Sequence, residues 1–264
     1  MDAFWAAPPV TRSLVAAAVL FSCTVYSGIL NPYYVVFIRR FVLKLPVPQL
    51  WRLITPFFLT GPKLGIVLDP YFIYTYGSVL ETESSRFSQP GDFLVYLLFI
   101  AGVVLITGGF LLQSILFLQP LILALAYTYA QDNPTRRITF YIVTFQVKYL
   151  PYAMLLMTFV MSSPNEALHQ GTGLFAAHLY DFLTRIWPTF GGGRNPIRTP
   201  QAIRRWFVKP PGAGTQRGYG TAFQGRPAGS QGQTAGSGRT GGWTSGFSSG
   251  SWGSMGPGRR LGGD

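Results

Sequence analysis

The chain is poor in charge, cysteine and histidine. Asp, Glu, Lys and Arg make up only 11% of its 264 residues, whereas soluble domains carry about 25%. The one cysteine, Cys23, cannot form a disulfide within the chain. One cysteine and two histidines do not make a metal-ligand cluster. No phosphate-binding loop is found either, so no cofactor is expected. The 48% hydrophobic content instead favours a membrane protein.

The charge that is present lies mostly at one end. Residues 1–183 hold ten basic and eight acidic side chains, a net charge of +2, whereas residues 184–264 hold eleven basic and one acidic, a net charge of +10. Of the 31 glycines, 21 also lie in residues 184–264. Such a composition buries too little apolar surface to offset the entropy of folding. We therefore predict a membrane domain at 1–187 and a disordered basic tail at 188–264.

Apolar stretches predict six membrane-spanning helices. A helix needs about 20 residues to cross the hydrocarbon, so the 39 uncharged residues 93–131 fit two helices with a turn near Gly108–Ser114. The other predicted spans are Leu14–Leu30, Leu64–Leu80, Ile138–Met161 and Ala167–Ile186. The first is expected to be a retained signal anchor. The second and sixth, being short and polar, are expected to thin the bilayer locally.

Six spans put both termini on one side of the membrane, and the basic tail makes that side cytosolic. The loop at 31–62 would lie on the opposite, lumenal side, yet it carries several basic residues, which disagrees with the rule that basic loops face the cytosol. Its aromatic and basic residues predict an interfacial segment, with Trp51 and Arg52 at the lipid headgroups. A second amphipathic patch, 201–208, predicts a short surface helix.

Several ionisable side chains fall inside the predicted spans: Asp69, Lys148, His178 and Asp181. Such groups are costly in a bilayer and usually face the bundle interior or a watery cavity. The alternative is that each lies near the end of a span and reaches the interface. Lys148 lies in the middle of its predicted span, where the second interpretation is harder to sustain.

Short motifs along the chain resemble those of the Derlin family, rhomboid-like proteins without protease activity. The motifs are PPVTR (Pro8–Arg12), Trp51-Arg52 within LWRLITPFF, FIYTYGSVLE (Phe72–Glu81), Asn133-Pro134, FQVKYLP (Phe145–Pro151), and Ala177-His178-Leu179-Tyr180 followed by Phe182-Leu183. The rhomboid G-x-x-x-G of the sixth span occurs here as Gly173-x-x-x-Ala177, which still allows close helix packing. The resemblance implies an all-α, six-helix rhomboid-like bundle.

The same resemblance bears on catalysis. Rhomboid proteases use a serine in a G-x-S turn at the fourth span and a histidine in the sixth, which activates the serine. Here His178 matches the histidine position, but no glycine stands two residues before Ser114, and His169 is expected in a loop. The resemblance therefore implies a pseudoprotease, not an enzyme. His178 is then a buried histidine bonded to tyrosine or backbone rather than a catalytic base.

The chain ends with a motif that resembles the SHP box of Derlins, a peptide that binds a hexameric AAA+ ATPase. Its residues are Gly256, Gly258, Arg259, Arg260, Leu261 and Gly262. Glycines allow an extended peptide to approach its partner closely. A chance match within a glycine-rich tail is the alternative. Arginines and aromatics in the tail could also suggest RNA binding, but a tether is simpler, and no nucleic-acid partner is expected.

The resemblance implies a function in endoplasmic-reticulum-associated degradation. The chain would lie in the endoplasmic reticulum membrane, guide misfolded proteins through a thinned bilayer past an opening between the second and fifth spans, and recruit the ATPase. A membrane ubiquitin-ligase complex is a further expected partner, and homo-oligomerisation stays open. The alternatives are a scaffold in that complex, and a protease or regulator that binds transmembrane segments without moving them.

Overall fold

The computed structural model describes residues 5, 7–43, 48–140, 143–191, 197 and 199–207, which are mainly helical. The α-helices of this part are α1 Pro9–Tyr26, α2 Pro32–Val35, α3 Arg39–Val42, α4 Gly65–Glu83, α5 Asp92–Val104, α6 Leu118–Asp132, α7 Leu150–Met161, α8 Pro164–Asp181, α9 Trp187–Phe190 and α10 Gln201–Phe207. Strands β1 Arg137–Phe140 and β2 Val143–Gln146 form a hairpin. Short 3-10 turns cover Leu50–Leu53, Thr55–Phe57, Ser85–Phe87 and Val147–Tyr149, and π-helical turns cover Leu105–Leu111 and Phe182–Ile186.

Two of the described helices are long and apolar enough to cross a membrane on their own. They are α1 and the continuous helix Asp92–Leu111, which joins α5 to its π-helical turn. The chain then turns at residues 112–117, where Gln113 has a left-handed backbone with φ of 58°. The predicted turn near Gly108–Ser114 is therefore confirmed within a few residues. Helices α4, α6, α7 and α8 are shorter or more polar.

Helix α6 lies at the centre of the fold. Every residue from Pro120 to Ala130 is buried, and the helix packs against α4, α5, α7 and α8. A helix that is apolar on all sides belongs in the interior of a bundle, because it has no face to offer to water. The hydroxyl of Tyr96 on α5 donates to the carbonyl of Ala124 at 3.0 Å. Helix α6 is thus the element against which the others are positioned.

Glu81 joins α4 to the beginning of α1. Its carboxylate oxygens accept hydrogen bonds from the backbone N–H groups of Val10 and Thr11 at 3.0 and 2.8 Å, and from the Thr11 hydroxyl at 2.8 Å. The first N–H groups of a helix have no partner within the helix, and its positive end favours a carboxylate. Two of the motifs quoted above, PPVTR and the Leu-Glu that ends FIYTYGSVLE, are therefore in direct contact.

The predicted span Ile138–Met161 is wrong over its first half. Arg137–Phe140 and Val143–Gln146 pair as antiparallel strands, with Arg137 opposite Gln146, and in the described part of this span only Leu150–Met161 is α-helical. β-Branched and aromatic residues dominate this stretch and favour strands. The all-α prediction therefore needs this correction. Lys148 follows the hairpin in an exposed 3-10 turn, 4.8 Å from the Tyr149 ring, and does not lie in the middle of a helix.

The second and sixth predicted spans are not the shortest helices of the bundle. Helix α4 has 19 residues, about 28 Å at 1.5 Å per residue. Helix α8 has 18 residues and continues in a π-helical turn to Ile186. The short helices are α6 with 15 residues and α7 with 12, about 22 and 18 Å long.

The surface helix predicted at 201–208 is confirmed as α10. It packs on the turn before α5, where a Cβ on Gly91 would lie 2.9 Å from a methyl carbon of Ile203 and 3.3 Å from the Phe207 ring. Thr199 donates a hydrogen bond to Asp92, which fixes the chain just before α10. The part of the chain that packs on the bundle thus extends beyond the predicted boundary at residue 187.

Candidate functional site

A cavity of about 490 Å³ lies between α4 and α7, and we call it the α4–α7 cavity. These helices correspond to the second and fifth predicted spans. Leu68 of α4 lines one side, and Met154, Met157 and Met161 of α7 line the other. Methionine is unbranched and flexible, so it adapts to irregular partners. Residues from α6, α8, β1 and the loops before α4 and α6 complete the lining.

Asp69 supplies the buried carboxylate of the cavity. Its side chain is only 3% exposed. One carboxylate oxygen accepts a hydrogen bond from the backbone N–H of Gly61 and the other from Nε2 of Gln119, both at 2.8 Å. Helix α4 thus brings Asp69 into contact with the loop before it and with the first turns of α6. Of the two interpretations left open for Asp69, the structure supports the interior one.

Gln170 of α8 places a second polar group in the cavity wall. It is 2% exposed, and its Oε1 accepts no hydrogen bond in the described part of the chain. Buried amide oxygens normally have a donor, because leaving one without a partner destabilises the fold. Asp69 and Gln170 therefore place two buried polar groups in the wall of the cavity.

Serine and histidine side chains occur in the cavity but do not form a catalytic pair. His169 lies in α8, not in the predicted loop, and lines the cavity together with Ser114. The Ser114 hydroxyl donates to the carbonyl of Leu116 at 3.0 Å, whereas Nδ1 of His169 lies 4.0 Å from the Glu166 carboxylate. In the described residues, no hydrogen bond joins a serine to a histidine.

His178 lies elsewhere on α8. Its Nδ1 is 3.0 Å from the Tyr127 hydroxyl, so the predicted tyrosine contact is confirmed. The side chain is exposed, however, and the prediction of a buried histidine is wrong. Gly173 of the same helix is buried and packs directly on the backbone of Pro120 in α6. Ala177 is 1% exposed.

The first loop holds Arg52 in the protein interior and not at the headgroups, so this prediction is wrong. Arg52 is 1% exposed, and its guanidinium donates three hydrogen bonds of 2.6–2.7 Å to Gln49 Oε1 and to the carbonyls of Tyr33 and Val36. Five donors in a rigid fork suit such a set of oxygens. Trp51, in contrast, is 47% exposed. Arg52 therefore holds the segments 33–36 and 49–52 of the loop together through its hydrogen bonds.

A charge cluster joins the ends of α4, α6 and α8. Arg86 contacts Asp132 at 2.5 Å and Asp181 at 2.7 Å, and all three side chains are 10–15% exposed. The Ser84 hydroxyl donates to the second oxygen of Asp132 at 2.6 Å. Asp181 also lies 3.5 Å from the more exposed Arg185. Asp181 thus faces the protein interior, as Asp69 does.

The terminal motif, Gly256, Gly258, Arg259, Arg260, Leu261 and Gly262, lies outside the described residues, as does most of the predicted tail. Sequence reasoning also missed partners that the fold reveals. The lone carboxylate in an apolar span drew attention to Asp69, but nothing marked Gln119 or Gln170 as its neighbours in the cavity. Nothing in the sequence marked the contact of Glu81 with α1 either.

Comparison with known proteins gives a consistent family. A family model for the Der1-like family matches residues 7–201. Human Derlin-1 is 32% identical over 229 residues, which cover 83% of this chain and 86% of Derlin-1. Derlin-2 of Oryza sativa subsp. japonica is 30% identical over 231 residues, covering 80% of this chain and 90% of that protein. Derlin-2.1 of Zea mays is 29% identical, with the same coverage.

Proposed function

Because this chain belongs to the Der1-like family, as its resemblance to the Derlins predicted, we propose that it is a retrotranslocation factor in endoplasmic-reticulum-associated degradation. It crosses the endoplasmic reticulum membrane with six helices in a rhomboid-like bundle, and both termini lie in the cytosol. Misfolded proteins are its substrates, a membrane ubiquitin ligase and an AAA+ ATPase are its partners, and it catalyses no covalent step.

The α4–α7 cavity carries this proposal. Its wall is apolar and adaptable, as a membrane-embedded substrate requires, and its interior offers the polar groups of Asp69 and Gln170. A polar group that crosses hydrocarbon without a partner costs several kcal/mol, about 2–7 for an amide or hydroxyl. A polar surface inside the membrane lowers that barrier, so a misfolded segment passes along the cavity more easily than through lipid.

The short helix α7 supports the same function. Together with the 3-10 turn before it, it runs over the 15 residues Val147–Met161, about 24 Å, whereas the hydrocarbon core is about 30 Å thick. A helix shorter than the core is accommodated by thinning the bilayer around it. The thinned region then lies beside the cavity, on the side where a substrate enters. The proposed thinning therefore rests on α7 rather than on the second and sixth spans.

Photocrosslinking from the cavity tests the substrate path. A photoreactive amino acid at Met157 of the full chain, in microsomes with a misfolded membrane protein, is expected to yield several times more substrate adduct than one at Leu98. Leu98 is the matched control because it is 57% exposed on α5 and does not line the cavity. Equal yields at the two positions would exclude the cavity as the path.

Filling the cavity then separates movement from binding. Leu68→Trp places a large side chain in the opening and is expected to slow extraction of the substrate several-fold, while Leu98→Trp leaves the rate unchanged. If Met157 still forms adducts and extraction proceeds normally in Leu68→Trp, the chain binds segments without moving them. It would then be a scaffold or regulator of the ligase complex.

The terminal motif gives a second test. Deleting Gly256–Asp264 is expected to abolish capture of the ATPase and to slow extraction, because a short linear motif depends on a few anchor residues such as Arg260 and Leu261. Replacing Arg217, Arg226 and Arg239 with glutamine is the charge control and is expected to leave capture intact. If the charge control were as damaging as the deletion, the tail would act by electrostatics.

A further inference from the structure

We infer that the α4–α7 cavity selects membrane segments that carry a lysine or arginine side chain within the bilayer. The inference rests on the proposed function and specifies the substrate class of the same site. It comes from the kinds of polar atoms that line the cavity. They offer hydrogen-bond acceptors and negative charge to an incoming segment.

Asp69 provides an acceptor whose charge has no cationic partner within the described residues. Its two bonded donors, the Gly61 backbone and the Gln119 amide, are both neutral. A carboxylate offers about four acceptor positions, and these two bonds use only part of them. A buried carboxylate is stabilised most by a cation, because a neutral donor supplies no opposite charge. An ammonium or guanidinium group supplies that charge.

Gln170 is the second, independent observation. The residue is only 2% exposed and lines the cavity, and its Oε1 has no donor within the described residues. An acceptor held in this way awaits a donor from outside the chain. A lysine has three donors and an arginine five, whereas a carboxylate in a substrate has none when ionised. The unpartnered oxygen therefore favours a segment that brings a donor over one that brings a carboxylate, and the charge of Asp69 favours a cationic donor.

The rest of the lining agrees with this preference. Among the described residues that line the cavity, the charged side chains are Asp69 and Glu166, both acidic, and none is lysine or arginine. His169 is the other titratable group of the lining, next to Glu166. A cationic side chain in a membrane segment is expensive in lipid and is normally paired with a partner helix. An unpaired one marks a segment that has failed to assemble, which suits a degradation pathway.

Three versions of one segment test the inference. The full chain with the photoreactive group at Met157 is reconstituted in liposomes with a leucine-alanine segment that carries lysine, leucine or glutamate at its centre. We expect the lysine version to give about tenfold more adduct than the leucine version, in line with the strength of polar contacts between membrane helices. The glutamate version is expected to give the least.

Cavity variants assign the preference to particular residues. Asp69→Asn and Gln170→Met are each expected to bring the lysine-to-leucine ratio close to one, and Gln170→Met serves if Asp69→Asn does not fold. Glu83→Gln, which removes an exposed carboxylate at the other end of α4, is the control and leaves the ratio unchanged. Equal adduct from all three segments would overturn the inference and leave the proposed path standing. No adduct from any segment would overturn both.

Discussion

The Gly173→Ala variant is expected to lose the packed bundle. A Cβ built on Gly173 lies 1.8 Å from the carbonyl oxygen and 2.5 Å from the carbonyl carbon of Pro120. Atoms that are not bonded pack at about 3.5–4.0 Å between carbons, so the methyl group cannot be accommodated where it stands. The contact is with backbone, which cannot change rotamer. Helices α6 and α8 must therefore separate.

The position of this contact makes the effect large. Overpacking typically costs about 1–3 kcal/mol, and here the displaced element is α6, the central helix against which α4, α5 and α7 also pack. We expect a loss of at least about 3 kcal/mol. The measurement is thermal stability in detergent, followed by the height of the monodisperse size-exclusion peak after heating. Gly173→Ala should lose that peak many degrees below the unsubstituted protein, or give none.

Gly171→Ala is the matched control, two residues away on the same helix. A Cβ there meets nothing within 4 Å, and alanine favours a helix over glycine by about 1 kcal/mol. This variant is expected to be as stable as the unsubstituted protein or slightly more so. If both variants behaved alike, close contact between α6 and α8 at Gly173 would be refuted.

Local patterns predicted much of this fold because local physics determines it. The long apolar runs that became α1 and Asp92–Leu111 need no knowledge of the rest of the chain, since length and hydropathy are enough. The spacing of Gly173 and Ala177 likewise predicts close helix packing, because small side chains at i and i+4 lie on one helix face. The packing partner, Pro120, lies 53 positions earlier and left no local signal.

The errors arose where local patterns were ambiguous. Between residues 138 and 146 the apolar run suits a buried helix or a strand equally well, and pairing of β1 with β2 decided in favour of the hairpin. Arg52 looked like an interfacial anchor because arginine is rarely buried. Three oxygen atoms and the ring of Phe41, 5.0 Å away, stabilise it inside the loop instead.

Long-range polar contacts could not be predicted from one sequence. Arg86 and Asp181 are 95 positions apart, and Glu81 and Thr11 are 70 apart. Nothing in the local sequence around these residues indicated their partners. The candidate site shares this limit, because Asp69, Gln119 and Gln170 come from three different helices.

Arg86→Met is expected to destabilise the protein severely. The substitution keeps a long side chain but removes the cation that lies 2.5 Å from Asp132 and 2.7 Å from Asp181. Two carboxylates that are 14–15% exposed then face each other's charge with little water to screen it. Removing one partner of a buried ion pair costs about 3–5 kcal/mol. The readout is again thermal stability in detergent.

Arg185→Met is the control for this charge cluster. Arg185 contacts the same Asp181 oxygen, but at 3.5 Å and with 60% of its side chain exposed. Exposed pairs of this kind contribute about 0.3–0.5 kcal/mol, so the control should shift the melting temperature only slightly. Equal losses of stability in the two variants would mean that the burial of Arg86 does not strengthen its ion pairs.

Neutralising the two carboxylates tests the cause. In the Arg86→Met background, Asp132→Asn together with Asp181→Asn removes the unpaired charges while preserving side-chain size. We expect this triple variant to recover part of the lost stability, because the penalty comes from buried charge and not from a missing packing contact. The Ser84 hydroxyl donates to the Asp132 carboxylate at 2.6 Å. In the triple variant it can still donate to the amide oxygen at position 132. A triple variant no more stable than Arg86→Met alone would show that Arg86 acts through its packing and its geometry. The ends of α4, α6 and α8 would then be joined by shape rather than by charge.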